Sequence, residues 1–185
     1  MLTVLIPLAE GCEELEAVTL IDILRRADIT VVTASLAENT LITASRGVRI
    51  QADTHLENVI YDDFDMIILP GGLPGSTHLD EDSHIHAILK RHYQLDKAVA
   101  AICAAPLVLA HAGLLDGKRA TCYPGVLSPD NWPNIQLCND ATVIDGRVLT
   151  SRGPGTAIDF ALSIIEFLKD RETRNTVEIS LSRTV

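Results

Sequence analysis

The chain has 185 residues, of which 47% are hydrophobic and 22% charged, and its formal net charge is -10. This length predicts one domain over residues 1–185. The acidic balance argues against nucleic acid and membrane surfaces as partners, because there is no cationic surplus to displace counterions. No apolar run approaches the ~18 residues of a membrane span, and residues 1–8 carry no basic leader segment. We therefore expect a cytoplasmic protein.

Short apolar runs alternate with amphipathic segments along the chain. The apolar runs predict strands at residues 2–8, 29–35, 65–69 and 97–102. Helical spacing predicts helices at 13–27, from a Ser83 cap to 95, at 104–111, at 153–169 and at 172–181. Turn signals predict two hairpins, one pairing 41–44 with 48–52 and one pairing 141–144 with 147–151.

Strands that are apolar on both faces and alternate with helices indicate a mainly parallel sheet. We therefore predict an α/β, flavodoxin-like, doubly wound fold with helices on both faces of the sheet. Sites in such folds lie beyond the carboxyl ends of the strands. Four loops with unusual residues fall at those ends, at residues 9–16, 70–75, 103–106 and 151–156.

Cys103 lies where a predicted strand turns sharply into a predicted helix. The small residues Ala101 and Ala105 flank it at two positions on either side, as a tight strand-to-helix elbow requires. A thiol at a helix N-terminus is favoured as thiolate by unpaired N–H groups and the helix dipole. The alternative interpretation is an inert cysteine in a core of small residues.

Three acidic residues, Glu13, Glu14 and Glu16, follow the first predicted strand. We expect Glu13 and Glu14 only to complement the helix dipole. Glu16 is the functional candidate if its side chain points toward Cys103. Burial and a neighbouring thiolate would raise the pKa of its carboxyl and let it donate a proton.

Two further loops carry groups that suit anionic chemistry. Gly71 and Gly72 either form an ordinary turn or expose a backbone N–H that forms an oxyanion hole with the N–H of Ala104. The turn at residues 151–156 either begins a helix or binds an anion.

The cysteines and histidines do not fall in metal-site spacings. Cys12, Cys103, Cys122 and Cys138 contain no Cys-x-x-Cys pair, so we expect free thiols, no metal and no cofactor. We expect His84, His86 and His92 to be solvated on one helix. Because Ala104 follows the cysteine, a Cys-His protease pair is unsupported.

The chain resembles the ThiJ/PfpI superfamily, in the branch of the Parkinson-disease protein DJ-one and bacterial YajL. Five motifs in the same order carry the resemblance, which runs over residues 2–168: Glu-Glu-Leu-Glu at 13–16, Ser-Arg at 45–46, Leu-Pro-Gly-Gly at 69–72, Ala-Ala-Ile-Cys-Ala at 100–104 and Thr-Ser-Arg-Gly-Pro-Gly-Thr at 150–156. It implies a homodimer and a last helix that covers the site.

The resemblance also implies roles for individual residues. Cys103 would be the oxidation-prone nucleophile, Glu16 the protonated carboxyl beside it, and Gly72 and Ala104 the oxyanion donors. Arg46 would line the pocket near the dimer interface, and whether it does so from its own subunit or from the partner stays open. We expect four further residues to line the same pocket: Gly71, Tyr123, Gly153 and Pro154.

This sequence departs from the family pattern at two places. Tyr123 stands before Pro124 where many members have a histidine, and Cys122 precedes it as a second thiol that could form a disulfide with an oxidised Cys103. The resemblance then leaves two functions. One is a glyoxalase or protein deglycase acting on methylglyoxal, a related small aldehyde or a glycated protein, and the other is a redox sensor or chaperone in oxidative-stress defence.

Overall fold

A computed structural model describes residues 1–183 as strands that alternate with helices. In chain order the strands are β1 (Thr3–Leu8), β2 (Thr30–Ser35), β3 (Leu41–Thr43), β4 (Arg49–Gln51), β5 (Thr54–His55), β6 (Met66–Leu69), β7 (Ala98–Ile102), β8 (Arg119–Ala120), β9 (Gln136–Leu137), β10 (Thr142–Asp145) and β11 (Val148–Ser151). The helices are α1 (Glu14–Arg26), α2 (Gly75–Glu81), α3 (Ser83–Gln94), α4 (Pro106–His111), α5 (Ala157–Leu168) and α6 (Arg171–Ser180), with 3₁₀ turns at Leu56–Asn58 and Pro154–Thr156.

The central sheet has the strand order β10-β11-β7-β6-β1-β2-β5. Its strands pair in parallel except for the antiparallel pair β10 and β11. The inner order β2-β1-β6-β7-β11 is that of the flavodoxin-like fold, in which sites form at the carboxyl ends of strands near the reversal of order. The predicted fold class is therefore confirmed, and the reversal lies between β1 and β6.

A hydrophobic core packs against each face of this sheet. One core includes buried residues of α1 and α5, and the other includes buried residues of α3 and α4. Both cores share one sheet, so residues 1–183 form a single domain. None of the helices described is long and apolar enough to cross a membrane.

Three helix starts differ from the prediction. The side chain of Asp82, and not that of Ser83, caps α3 by accepting from two backbone N–H groups. Helix α4 begins at Pro106 and not at Ala104, because Ala104 and Ala105 still belong to the turn that follows Cys103. The segment at Gly153 starts as a 3₁₀ turn, and α5 follows it at Ala157.

Two further features correct the prediction. The sequence did not predict helix α2, since Gly75, Ser76 and Thr77 are poor helix formers and the segment has no helical spacing of apolar residues. His92 is buried, with 4% of its surface exposed, whereas solvation was expected. It lies on the face of α3 that packs against the sheet, together with Ile85 and Leu89.

Candidate active site

Cys103 occupies a strained backbone position directly after β7. Its φ is +66°, and 8% of the residue is exposed. Hydrogen bonds on both sides hold this conformation: its N–H donates to the carbonyl of Ser151 at 3.0 Å, and its own carbonyl accepts from the N–H of Tyr123 at 2.8 Å. The elbow predicted from the small flanking residues is therefore present.

The carboxyl of Glu16 lies beside this thiol. Glu16 is in the first turn of α1 and is fully buried. Its Oε2 accepts a 2.8 Å hydrogen bond from the N–H of Gly71, and the carboxyl is close enough to the Cys103 thiol for each group to shift the pKa of the other. Its other oxygen, Oε1, is buried and has no hydrogen-bond partner among residues 1–183.

Gly71 allows this close approach of thiol and carboxyl. A Cβ atom at this position would lie 2.6 Å from the Cβ of Cys103 and 2.8 Å from Oε2 of Glu16. Contacts this short cannot form without displacing one of the two side chains. The glycine predicted from the sequence as a pocket residue is thus required by packing.

Burial dominates the ionisation of the pair. Burial, together with the carboxylate of Glu16, raises the pKa of Cys103 to about 12, although hydrogen bonds from the N–H groups of Gly72 and Ala104 lower it. Burial also raises the pKa of Glu16 to about 7, although the hydrogen bond from Gly71 and the neighbouring Cys103 thiol lower it. The expected lowering of the thiol pKa by backbone N–H groups is thus outweighed by burial. Because the two groups interact, the single proton present between these pKa values belongs to the pair as a whole.

A cavity of about 310 Å³ opens over the sulfur of Cys103. Its lining comprises Glu13, Ser45, Arg46, Gly72, Leu73, Cys103, Ala104, Tyr123, Val126 and Pro154. Arg46 reaches it from the same chain as Cys103. No residue of α6 lines the cavity within residues 1–183, so in this subunit the expectation that the last helix covers the site is wrong. Leu73 and Val126 carry no sequence signal that marks them as lining residues.

Glu13 and Glu14 do more than complement the helix dipole. Glu13 caps α1 by accepting from the N–H of Glu16 at 2.7 Å, and it also lines the cavity. Glu14 accepts from the hydroxyl of Ser45 at 2.9 Å and from the N–H of Arg46 at 2.8 Å. Glu14 therefore fixes the turn that brings Arg46 to the site.

The turn at residues 151–156 is closed by its own side chains. The hydroxyl of Thr156 lies 2.8 Å from that of Ser151 and bonds the backbone of Gly153. This turn acts as a cap for the segment that begins α5. It holds Gly153 near the thiol, since a Cβ there would lie 3.9 Å from the sulfur of Cys103.

The four cysteines are free thiols, so Cys103 and Cys122 are not joined in a disulfide. Cys12 is buried, whereas Cys122 and Cys138 are partly exposed. Among residues 1–183, no three His, Cys, Asp or Glu side chains come together as metal ligands would. The reactive groups at the centre of the site are the thiol of Cys103 and the carboxyl of Glu16, beside the N–H groups of Gly72 and Ala104.

Known proteins resemble this chain over nearly its whole length. Protein dj-1beta of Drosophila melanogaster is 44% identical over 169 residues, which are 91% of this chain and 90% of that protein. The glutathione-independent glyoxalase DJR-1.2 of Caenorhabditis elegans is 36% identical, covering 91% of this chain and 89% of that protein. The chain spans only 38% of DJ-1 homolog B of Arabidopsis thaliana, to which it is 40% identical.

The structural comparison agrees with the sequence comparison. The structure of oxidized DJ-1 from Toxoplasma gondii superposes with a TM-score of 0.94 at 36% identity and covers 100% of both chains. The model of the DJ-1/PfpI family matches residues 2–167. That match includes Glu16, Gly71, Gly72 and Cys103, the residues that form the centre of the site. The chain therefore belongs to the DJ-1/PfpI family.

Proposed function

We propose that this protein is a cofactor-independent glyoxalase and protein deglycase that acts on methylglyoxal or its adducts through Cys103. The observation that carries the proposal is the buried carboxyl of Glu16, which packs with the Cys103 thiol around Gly71, beside the N–H groups of Gly72 and Ala104. The name of the Caenorhabditis elegans relative, a glutathione-independent glyoxalase, supports the same reaction class.

The reaction uses the single proton that the pair holds. Sulfur attacks the aldehyde carbon, and Glu16 passes its proton to the aldehyde oxygen, which gives a hemithioacetal. The N–H groups of Gly72 and Ala104 stabilise the negative charge that develops on that oxygen. The carboxylate of Glu16 then removes the proton from the former aldehyde carbon and returns it to the neighbouring carbonyl carbon, while the hydroxyl proton of the hemithioacetal passes to the oxygen of that carbonyl.

This transfer oxidises the first carbon and reduces the second, so the reaction needs no external oxidant. The product on Cys103 is a lactoyl thioester. Water cleaves it, which releases lactate and restores the thiol. In the deglycase reaction methylglyoxal is already bonded to a protein amine or thiol. Cys103 displaces that amine or thiol, which takes up a proton as it leaves.

The test is lactate formation from methylglyoxal in metal-free buffer. We expect Cys103→Ser to abolish turnover and Glu16→Gln to lower kcat by about 10²–10⁴-fold, the contribution of a general acid-base. Cys138→Ser is the matched control and should retain wild-type activity. A wild-type rate no faster than that of an equal concentration of free thiol would overturn the proposal.

A redox sensor or chaperone is the second candidate. Cys103 is slightly exposed, and the N–H groups of Gly72 and Ala104 could hold the oxygens of a sulfinate formed by peroxide. Peroxide would supply both oxygens and leave as water, and oxidation would change partner binding. Mass spectrometry after mild peroxide should find the first oxygen on Cys103, and earlier oxidation of Cys122 or Cys138 would count against this function. Cysteines stay reduced in the cytoplasm, so the free thiols of this protein suit a cytoplasmic location.

We also propose a homodimer formed through α1 and the β3–β4 hairpin. Leu15 and Val18 of α1 are 50% and 47% exposed, and Val48 on the hairpin turn is 48% exposed. Apolar side chains grouped on a surface mark an interface more often than scattered ones do. Sedimentation velocity should find a dimer that Val18→Glu dissociates. Leu95→Glu, at another exposed apolar position, should leave it intact, and a monomeric wild type would contradict the proposal.

A further inference from the structure

A second depression adjoins the cavity over Cys103. This Arg152 groove has a volume of about 500 Å³ and includes Asn139, Arg152 and Gly155 in its lining. It shares Tyr123 and Pro154 with the cavity. Each depression alone has the size that holds a drug-sized ligand, ~300–1,000 Å³. A three-carbon aldehyde therefore leaves most of this continuous surface uncovered.

The side chain of Tyr123 forms the boundary between the two depressions. The residue is 51% exposed, and its ring packs against Gly153, where a Cβ would lie 3.3 Å from the ring. An occupant that reaches from Cys103 into the groove must cross this ring and Pro154. Both surfaces are apolar and suit the backbone and carbon stem of an extended peptide.

Arg152 supplies the charge of the groove. Its guanidinium donates to the backbone carbonyl of Asn139 at 3.1 Å, and it has no acidic partner among residues 1–183. Two other arginines, Arg119 and Arg147, pair with aspartates. No acidic side chain lines the groove. In a chain of net charge -10, the guanidinium of Arg152 thus has donors free for a carboxylate from a ligand.

We propose that the Arg152 groove is a subsite for the peptide that carries a methylglyoxal adduct, with a carboxylate of that peptide on Arg152 and the modified side chain over Cys103. The inference rests on the proposed deglycase function and names its substrate class. Acidic peptide segments bind in preference to neutral ones. The carboxylate comes from a nearby Asp or Glu or from a free C-terminus.

The test is binding, measured by fluorescence anisotropy, of labelled peptides that contain Nε-lactoyl-lysine, a stable mimic of the adduct. One peptide has Glu two residues after the modified lysine, one has Gln there, and one ends in a free carboxylate at that place. We expect the wild type to bind either carboxylate peptide about fivefold more tightly than the Gln peptide. The preference should disappear in Arg152→Gln and persist in Arg171→Gln, a change at an exposed arginine of α6.

Equal affinity of the wild type for all three peptides would overturn the subsite, whether or not the variants fold. An equal loss of preference in Arg171→Gln would also overturn it, since the effect would then be one of overall charge. Methylglyoxal turnover is measured in parallel. If the protein turns over methylglyoxal but shows no peptide preference, the subsite is overturned and the proposed function stands. If it shows the preference but no turnover, the proposed function is overturned and the groove is a peptide-binding site only.

Discussion

The backbone N–H of Tyr123 donates a 2.8 Å hydrogen bond to the carbonyl of Cys103. The loop after β8 thereby supports the elbow after β7 from one side, while Ser151 of β11 supports it from the other at 3.0 Å. A non-glycine residue at positive φ costs ~1–3 kcal/mol and persists only where its surroundings hold it. Tyr123 therefore serves the site through its backbone as well as through its ring.

The hydroxyl of Thr150 fixes the loop that carries Tyr123. It accepts a 2.9 Å hydrogen bond from the N–H of Thr121, and both residues are 1% exposed. We expect Thr150→Val to lower the free energy of unfolding by about 1–3 kcal/mol, because a buried N–H loses its partner. Urea denaturation measures this loss, and kcat for methylglyoxal should fall with it.

Thr142→Val is the matched control for that experiment. The hydroxyl of Thr142 on β10 is buried and has no hydrogen-bond partner among the described residues. Its replacement should leave stability unchanged or raise it. If Thr150→Val and Thr142→Val unfold at the same urea concentration, Thr150 does not hold the loop.

The pH dependence of Cys103 alkylation should report the Glu16 pair. Below the Glu16 pKa of about 7 the pair holds both protons, so alkylation by iodoacetamide should rise as the pH passes through this value. In Glu16→Gln the step at about pH 7 should vanish. The Cys103 pKa should also fall, because the carboxylate that raises it is gone. Mass spectrometry of the Cys103 peptide between pH 5 and 9 gives the rates.

The peptide that contains Cys122 is an internal control in the same digest. Burial raises the pKa of Cys122, and Glu16 takes no part in that shift. Its alkylation profile should be the same in wild type and Glu16→Gln. A step at pH 7 that survives in the Cys103 peptide of Glu16→Gln would show that another group controls the thiol.

Gly71→Ala should separate the thiol from the carboxyl, because the new Cβ would lie 2.6 Å from the Cβ of Cys103. A misplacement of ~1 Å in a catalytic site costs about a hundredfold in rate, and we expect a loss of that size in kcat. Gly117→Ala is the control, since it strains a positive φ of +72° without any contact within 4 Å. It should lower stability and leave kcat intact. Full activity in Gly71→Ala would contradict the close packing of the pair.

Buried His92 should make the protein less stable in acid. Burial, with the charge of Lys97 adding to it, lowers the His92 pKa from 6.5 to about 4. Below pH 6.5 the unfolded chain takes up this proton and the folded chain does not, so stability present above pH 6.5 is lost as the pH falls to 4. At ~1.4 kcal/mol per pH unit, the full loss is about 3 kcal/mol.

Urea denaturation at pH 7.5 and 4.5 tests this loss with His92→Phe, which fills the same buried space without a titrating group. The variant should lose about 2–3 kcal/mol less than the wild type over that range. His84→Gln, at an exposed position of α3, should behave as the wild type does. An equal acid loss in His92→Phe and wild type would assign the acid sensitivity to other groups.

The spacing of apolar residues and the turn residues were sufficient to predict most strands and helices of the fold. The apolar strand before Cys103 is a local pattern and formed where it is predicted. The second hairpin also formed, but its turn is Gly146–Arg147, one residue beyond the predicted Asp145–Gly146, because Asp145 pairs with Val148. Helix α2 and the cap at Asp82 escaped prediction. Gly75 gives no helical signal, and a cap depends on which of two adjacent polar side chains, Asp82 or Ser83, turns back to the N–H groups.

The chain alone was enough to identify a thiol on an elbow, a glycine pair at a strand end and an acidic first helical turn, because each is a local property of a few residues. The family resemblance already implied that Glu16 lies beside Cys103. Only the packed structure decided that burial raises the pKa of both and that Arg46 lines the cavity of its own chain. The pKa of a buried group depends on neighbours from distant segments, and a linear sequence does not contain those distances.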